Sequence, residues 1–116
     1  MVVGIIRNPT ELQNEILNAG DKTVLLKFSA TWCKPCREIK PMIEEYSERF
    51  AKQFVFLELD VDNSAELVNH FKVRSMPTII FIRKNIVIKV IVGANIELIE
   101  STCELISNAT FPELMQ

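Results

Sequence analysis

The stretch TVLLKFSATWCKPC, residues 23–36, joins an apolar run to two cysteines that are separated by two residues. Its first half, from Thr23 to Ser29, is almost continuously apolar except for Lys27. A continuous apolar run of this length is typical of a strand that is covered on both faces, as in a parallel sheet. The sequence therefore predicts a central strand that ends directly before the cysteine pair.

Helices and strands are predicted on both sides of this strand. Asn8-Pro9-Thr10-Glu11 has the capping residue, the proline and the acidic side chain of a helix start, and Gly20 is suited to end that helix. The remaining predictions are strands at 2–6, 54–59, 78–82 and 86–92, a helix after the cysteines that contains Pro41, a helix at 64–71 and a last helix capped by Asn95.

This order of elements predicts one α/β domain. Helices separate the first three strands, so these are expected to be parallel, whereas the last two strands are close enough to form an antiparallel hairpin. A three-layer α/β/α sandwich follows, with a central mixed sheet of about five strands and four helices. We expect the domain to occupy residues 1–107 and a flexible tail to occupy residues 108–116, where no clear pattern continues.

Composition and charge exclude several classes of protein. A chain of 116 residues that is 48% hydrophobic is long enough to bury one core. The net charge of −2 argues against a nucleic-acid or acidic-membrane surface, and no apolar run reaches the ~18 residues of a membrane span. The first apolar run is too short for a signal peptide. We therefore expect a cytoplasmic protein that binds neither nucleic acid nor membrane.

The cysteine pair at a helix start favours thiol chemistry. Unpaired N–H groups and the positive end of the helix dipole stabilise a thiolate at Cys33, which is then a nucleophile near neutral pH. Cys36 follows one turn later, from where it can attack a mixed disulfide, and Pro35 stiffens the turn. Half of a zinc site is the alternative, but the other two available ligands, His70 and Cys103, are far apart in the sequence. We therefore predict no metal site.

The segment FSATWCKPC, residues 28–36, closely resembles the active-site stretch of the thioredoxin family. The likeness continues at Pro41, Asp60-Val61-Asp62, Ser75-Met76-Pro77-Thr78 and Val92-Gly93-Ala94, in the family's order and at its distances. It covers nearly the whole chain, from residue 2 to about residue 107. The resemblance implies the thioredoxin fold and a thiol–disulfide oxidoreductase.

The resemblance also implies roles for single residues. Cys33 would be the attacking thiol and Cys36 the resolving thiol. Trp32 would supply an apolar surface beside the disulfide, with an ordinary core tryptophan as the alternative. Met76-Pro77 would form a cis peptide bond that faces the cysteines, so that the Met76 backbone could pair with an extended substrate peptide. Gly93 would let that peptide approach closely.

Two departures from the family pattern lie at turns. Lys34 follows the first cysteine, where the family usually has glycine. Its charge either favours the Cys33 thiolate or is screened like that of any surface lysine. Asn85 stands in the hairpin turn, also in place of glycine, and asparagine tolerates positive φ better than most residues.

The third departure lies inside the central strand. Lys27 stands where the family usually has a buried aspartate that handles the proton of the resolving thiol, so that role is in doubt here. Lys27 either reaches solvent or is buried. A buried ammonium needs a partner, and we expect that partner to be Glu58, because the family topology implies that the strand at 54–59 runs beside the central strand. Glu58 would then be a candidate proton acceptor for Cys36.

The implied activity is reduction of protein disulfides, with electrons that come from NADPH through a thioredoxin reductase. The chain has no Gly-x-Gly-x-x-Gly motif, so we expect a redox-active disulfide and no bound cofactor. A monomer is expected. The alternatives are a more oxidising or isomerase-like protein, which Lys34 and Lys27 suggest, and a binding module that uses the fold only for docking. Cys103 lies on the apolar side of the last helix and is expected to be buried and inert.

Overall fold

The computed structural model describes residues 3–109, which form a five-stranded sheet and four α-helices. The elements are β1 (Val3–Ile5), α1 (Pro9–Ala19), β2 (Thr23–Ser29), α2 (Lys34–Arg49), β3 (Phe54–Asp60), a 3₁₀ turn (Val61–Asn63), α3 (Ala65–Phe71), β4 (Thr78–Arg83), β5 (Ile86–Val92) and α4 (Ile96–Asn108). Within this range, no helix is both long enough and apolar enough to cross a membrane.

β2 lies at the centre of the sheet, whose strand order is β1-β3-β2-β4-β5. β1 and β2 both run parallel to β3, because a helix connects each of these strands to the next. β4 runs antiparallel to β2, and β5 antiparallel to β4. The predicted mixed sheet with a parallel core is therefore confirmed. In this register Lys27 on β2 stands directly opposite Glu58 on β3.

Helices cover both faces of the sheet, and each face has its own apolar core. Successive side chains of β2 point into the two cores alternately, because the side chains of a strand alternate between the faces of the sheet. Leu25 packs with side chains of α2 and α4, whereas Leu26 and Phe28 pack with side chains of α1 and α3. The predicted α/β/α sandwich is therefore confirmed, and Lys27 shares the α2 face with Leu25.

The first and last helices begin at the capping side chains that the sequence indicated. Asn8 Oδ1 accepts the N–H of Glu11 at 2.8 Å, and Pro9 is the first residue of α1. Asn95 Oδ1 accepts the N–H of Leu98 at 3.1 Å at the start of α4. These bonds satisfy backbone donors that would otherwise lack a partner at a helix start.

The structure differs from the sequence prediction at several element ends. α4 continues to Asn108, one residue beyond the predicted domain boundary, and β3 and β4 each extend one residue further than predicted. The 3₁₀ turn after β3 was not predicted. Asp60 Oδ1 accepts the N–H of Asp62 at 2.9 Å. This local hydrogen bond stabilises the turn in place of a further strand residue. Residue 2 of the first predicted strand and residues 110–116 of the predicted tail lie outside the described range.

The hairpin between β4 and β5 turns through Lys84 and Asn85, with φ values of 49° and 66°. Positive φ at both central residues suits a two-residue hairpin, because such a turn matches the twist of the strands. The prediction that Asn85 accepts this conformation is confirmed, whereas positive φ at Lys84 was not anticipated. The Lys84 ammonium lies 3.1 Å from the Asp21 carboxylate, which fixes the turn beside the end of α1.

Candidate active site

Cys33 and Cys36 lie where the chain passes from β2 into α2. Cys33 caps the helix, Cys36 lies in its first turn, and the two are joined by a disulfide with their Cα atoms 5.3 Å apart. Cys33 Sγ accepts the N–H of Cys36 at 3.2 Å. A backbone donor at the positive end of the helix therefore points at the sulfur, where it can stabilise a thiolate in the reduced protein.

The two cysteines differ in their access to solvent. Cys33 is 5% exposed and Cys36 is 1% exposed, and the residues beside Cys33, Trp32 and Lys34, are both exposed. A substrate disulfide can therefore approach Cys33, whereas Cys36 is covered by the protein. This geometry supports Cys33 as the attacking sulfur and Cys36 as the resolving sulfur.

A second loop, which contains Met76 and Pro77, faces the disulfide. The peptide bond between these two residues is cis, as expected from the resemblance, and the carbonyl oxygen of Met76 lies 3.6 Å from Cys33 Sγ. Gly93, with a φ of 99°, donates its N–H to the carbonyl oxygen of Pro77 at 2.8 Å. The structure thus brings Met76, Pro77 and Gly93 together beside Cys33. Their role in binding a substrate peptide stays a prediction.

Trp32 is 63% exposed, so the alternative of a core tryptophan is wrong. Its indole Nε1 donates to Asp62 Oδ2 at 3.0 Å, which holds the ring beside the disulfide without burying it. This pairing was not predicted from the sequence. The signal that could have found it is the carboxylate at the end of the Asp60-Val61-Asp62 segment, because an indole N–H needs an acceptor.

The exposed start of α2 carries Lys34 and Pro35. Pro35 fits because the N–H groups of the first helical turn have no partner within the helix. Arg37 Nη1 donates to the carbonyl oxygen of Thr31 at 2.8 Å and ties the preceding loop to the helix, a contact that the sequence did not predict. Solvent screens the exposed ammonium of Lys34, and its effect on Cys33 stays a prediction.

Lys27 lies buried behind the disulfide and is 1% exposed. Its Nζ lies 3.1 Å from Glu58 Oε1 and donates to the carbonyl oxygen of Cys36, also at 3.1 Å. The predicted pairing with Glu58 is therefore confirmed, and the alternative in which Lys27 reaches solvent is wrong. The physical reason is the register, since β2 and β3 place the two residues side by side. The proton-acceptor role of Glu58 stays a prediction.

Known proteins match this chain over most of its length. The thioredoxin family model matches residues 4–104. The chain belongs to the thioredoxin family. Thioredoxin of Ophiophagus hannah is 39% identical over 99 residues, which cover 85% of this chain and 93% of that protein. Thioredoxin of Homo sapiens is 40% identical over 97 residues, which cover 84% and 91%. The X-ray structure of Fasciola hepatica thioredoxin is similar with a TM-score of 0.85 at 26% identity, covering 89% of this chain and 98% of that one.

As a member of the thioredoxin family, the chain is a thiol–disulfide oxidoreductase that reduces protein disulfides. In the reduced protein, the Cys33 thiolate attacks one sulfur of the substrate disulfide, and one substrate thiolate leaves as the mixed disulfide forms. The Cys36 thiolate then attacks Cys33 Sγ and releases the second substrate thiolate. Two electrons pass to the substrate as the Cys33–Cys36 disulfide forms, and the protons that Cys36 gives up or the substrate thiolates take up are exchanged with solvent.

The chemistry of the thioredoxin family rests on this redox-active disulfide and uses no bound cofactor. The zinc alternative finds no support in residues 3–109, where no three or more His, Cys, Asp or Glu side chains are grouped to hold a metal ion. His70 packs edge-on against Phe71, with ring centroids 4.7 Å apart, and Cys103 lies in the core between α4 and the sheet.

Cys103 is a buried free thiol, as predicted. Burial raises the pKa of the Cys103 thiol to about 12, so almost none of it is thiolate at neutral pH. We expect the native, oxidised protein to resist iodoacetamide at pH 8 and to take up one label only after denaturation, as measured by mass spectrometry. In a Cys103→Ala control, denaturation should expose no thiol. Rapid labelling of the native protein would contradict the inert role of Cys103.

Proposed function

We propose that this chain is a cytoplasmic, monomeric reductant of protein disulfides, recharged by a thioredoxin reductase with electrons from NADPH. The observation that carries the proposal is the Cys33–Cys36 disulfide at the start of α2, beside the loop of Met76 and Pro77. The two thiols of the reduced protein and the backbone of Met76 lie together beyond the end of the central strand β2.

The surroundings of Cys33 support an extended peptide as the substrate. Gly93 has no side chain, and the exposed ring of Trp32, the residue before Cys33, offers apolar contact area. An extended peptide that pairs with the backbone of Met76 would gain main-chain hydrogen bonds without demanding a particular sequence. Such recognition suits a reductant of many different protein disulfides.

The proposals on electron source, compartment and oligomeric state have separate support. No dinucleotide-binding motif occurs in the sequence, so NADPH would act on a partner enzyme. Three cysteines, with Cys103 unpaired and buried, are typical of a reducing compartment rather than of a disulfide framework. Each of the two apolar cores packs the sheet against helices of the same chain, which supports a monomer.

A coupled assay tests the proposal. Catalytic amounts of this chain, thioredoxin reductase, insulin and NADPH are mixed, and oxidation of NADPH is followed by its absorbance. We expect oxidation to require all components and to stop when the chain is replaced by its Cys33→Ser variant. If the chain reduces insulin with dithiothreitol but causes no NADPH oxidation in the coupled assay, the proposed electron source is wrong. Light scattering tests the monomer, and subcellular fractionation tests the compartment.

A further inference from the structure

Lys27 is the one charged side chain that is buried within residues 3–109. A buried ammonium without partners would be costly, because the protein interior solvates charge poorly. Here it is held by two oxygens, the Glu58 carboxylate and the carbonyl of Cys36, each 3.1 Å from Nζ. One of its two contacts is therefore the backbone of the resolving cysteine itself.

The two charges of the Lys27–Glu58 pair are not equally screened. The side chain of Lys27 is 2% exposed, whereas that of Glu58 is 24% exposed. Water weakens the field of a partly exposed carboxylate more than that of a buried ammonium. A cleft of about 260 Å³ is lined by Lys27, Cys36 and Glu58 together. The less screened charge beside Cys36 is therefore positive.

Other charged groups also face this cleft, but they are more open to solvent than Lys27. α2 contributes two exposed cations to this cleft, and the end of β3 contributes a half-buried carboxylate. A separate, smaller cavity also reaches Lys27, and there α2 contributes a half-buried carboxylate and β1 only apolar side chains. Ile79 of β4 lies opposite Lys27. Screening reduces the effect of the exposed cations on a buried sulfur. The two exposed cations are Arg37 and Lys40, the carboxylate on α2 is Glu44, and the carboxylate at the end of β3 is Asp60.

We propose that Lys27 is a positioning residue that sets the redox balance of the site by stabilising the thiolate of Cys36. This inference rests on the thiol–disulfide exchange of the proposed function. Where the thiolate is populated, stabilising it stabilises the reduced protein and so raises its reduction potential. A carboxylate at position 27 would destabilise the Cys36 thiolate and lower the reduction potential. The chain is therefore a weaker reductant than the same fold would be with an aspartate at that position.

Equilibration with glutathione at several pH values between 7 and 9 tests the proposal, because the potential responds to the charge at position 27 only where Cys36 ionises. In this exchange two glutathione thiols are oxidised to glutathione disulfide while the Cys33–Cys36 disulfide is reduced to two thiols. We expect the potential to fall from the wild type to Lys27→Met and to fall further in Lys27→Asp. The Lys27→Met step should change the equilibrium constant about tenfold, which corresponds to about 30 mV. A potential that is unchanged, or an order that is reversed, would overturn the role of Lys27.

Matched variants separate charge from packing. Lys27→Gln removes the same charge as Lys27→Met with a different side chain, so both should give the same potential. Lys22→Met removes an exposed cation next to the opposite end of β2 and should keep the wild-type potential. A difference between the two neutral Lys27 variants as large as their shift from the wild type would mean that packing, not charge, controls the potential.

A titration of Cys36 gives an independent readout. In a Cys33→Ser background, thiolate absorbance reports Cys36, because burial raises the pKa of Cys103 to about 12 and also raises the pKa of Tyr46. We expect Lys27→Met to move the midpoint upward and Lys27→Asp to move it further. An unchanged midpoint would overturn the proposal. Insulin reduction by the wild type is assayed separately, so that loss of the reductase function is recognised as a different failure.

Discussion

Replacing Cys33 with serine is expected to reduce catalysis of insulin reduction to the rate of the buffer control. The serine hydroxyl forms no appreciable anion at neutral pH, so no nucleophile remains at the helix start to attack the substrate disulfide. Cys36 cannot take over, because it is 1% exposed and lies behind Cys33. Turbidity of insulin in the presence of dithiothreitol measures the rate.

The matched control for this result is Cys103→Ala. Cys103 is buried in the α2 and α4 core and lies outside the site. The variant removes a thiol without touching Cys33, and its rate should stay within about twofold of the wild type. Substantial activity in Cys33→Ser would mean that another group attacks the substrate.

Replacing Cys36 with serine is expected to convert the protein from a catalyst into a trap. The Cys33 thiolate still attacks the substrate, but no second thiolate can attack the mixed disulfide, so the substrate stays bound through Cys33. Intact mass spectrometry without reducing agent should find most of the protein in covalent adducts with substrate chains. A small added thiol should release them.

The double variant Cys33→Ser/Cys36→Ser is the control for trapping. It should form no adducts, since Cys103 is buried and its raised pKa keeps the thiol protonated. Two observations would contradict the assigned order of attack. One is adduct formation in the double variant, and the other is sustained turnover by Cys36→Ser when NADPH and thioredoxin reductase are the only source of electrons.

The central strand explains why the fold could be predicted. β2 is buried along almost its whole length because it lies between β3 and β4 and contributes side chains to both cores. Burial on two faces requires an almost continuous apolar run, and such a run is visible in the sequence. The capping residues Asn8 and Asn95 act on their own helices, so their effect is local and can also be read from the sequence.

Part of the site could also be predicted before the structure was known. The family resemblance placed β2 and β3 side by side as parallel strands, and with that placement Lys27 and Glu58 lie at matching depths, as the register confirms. The cysteine pair is local in sequence, and its disulfide spans one turn. The cis bond before Pro77 came only from the family resemblance, because nothing in the local residues distinguishes it from a trans bond.

The remaining contacts depend on how loops meet in space. The indole of Trp32 reaches Asp62 across 30 positions of the chain, and the guanidinium of Arg37 reaches back to Thr31. Neither pairing leaves a periodic pattern in the sequence. The positive φ at Lys84 is also set by the strands on either side, since a two-residue hairpin must match their twist.

The most direct test of the proposed mechanism is a single turnover of the reduced protein with excess insulin, followed by alkylation and peptide mapping. We expect one insulin disulfide to be reduced per protein molecule and the protein to end with Cys33 linked to Cys36. Cys103 should be recovered as a thiol that is alkylated only after denaturation. Insulin reduction that leaves Cys33 and Cys36 as free thiols, or that links either of them to Cys103, would contradict this mechanism.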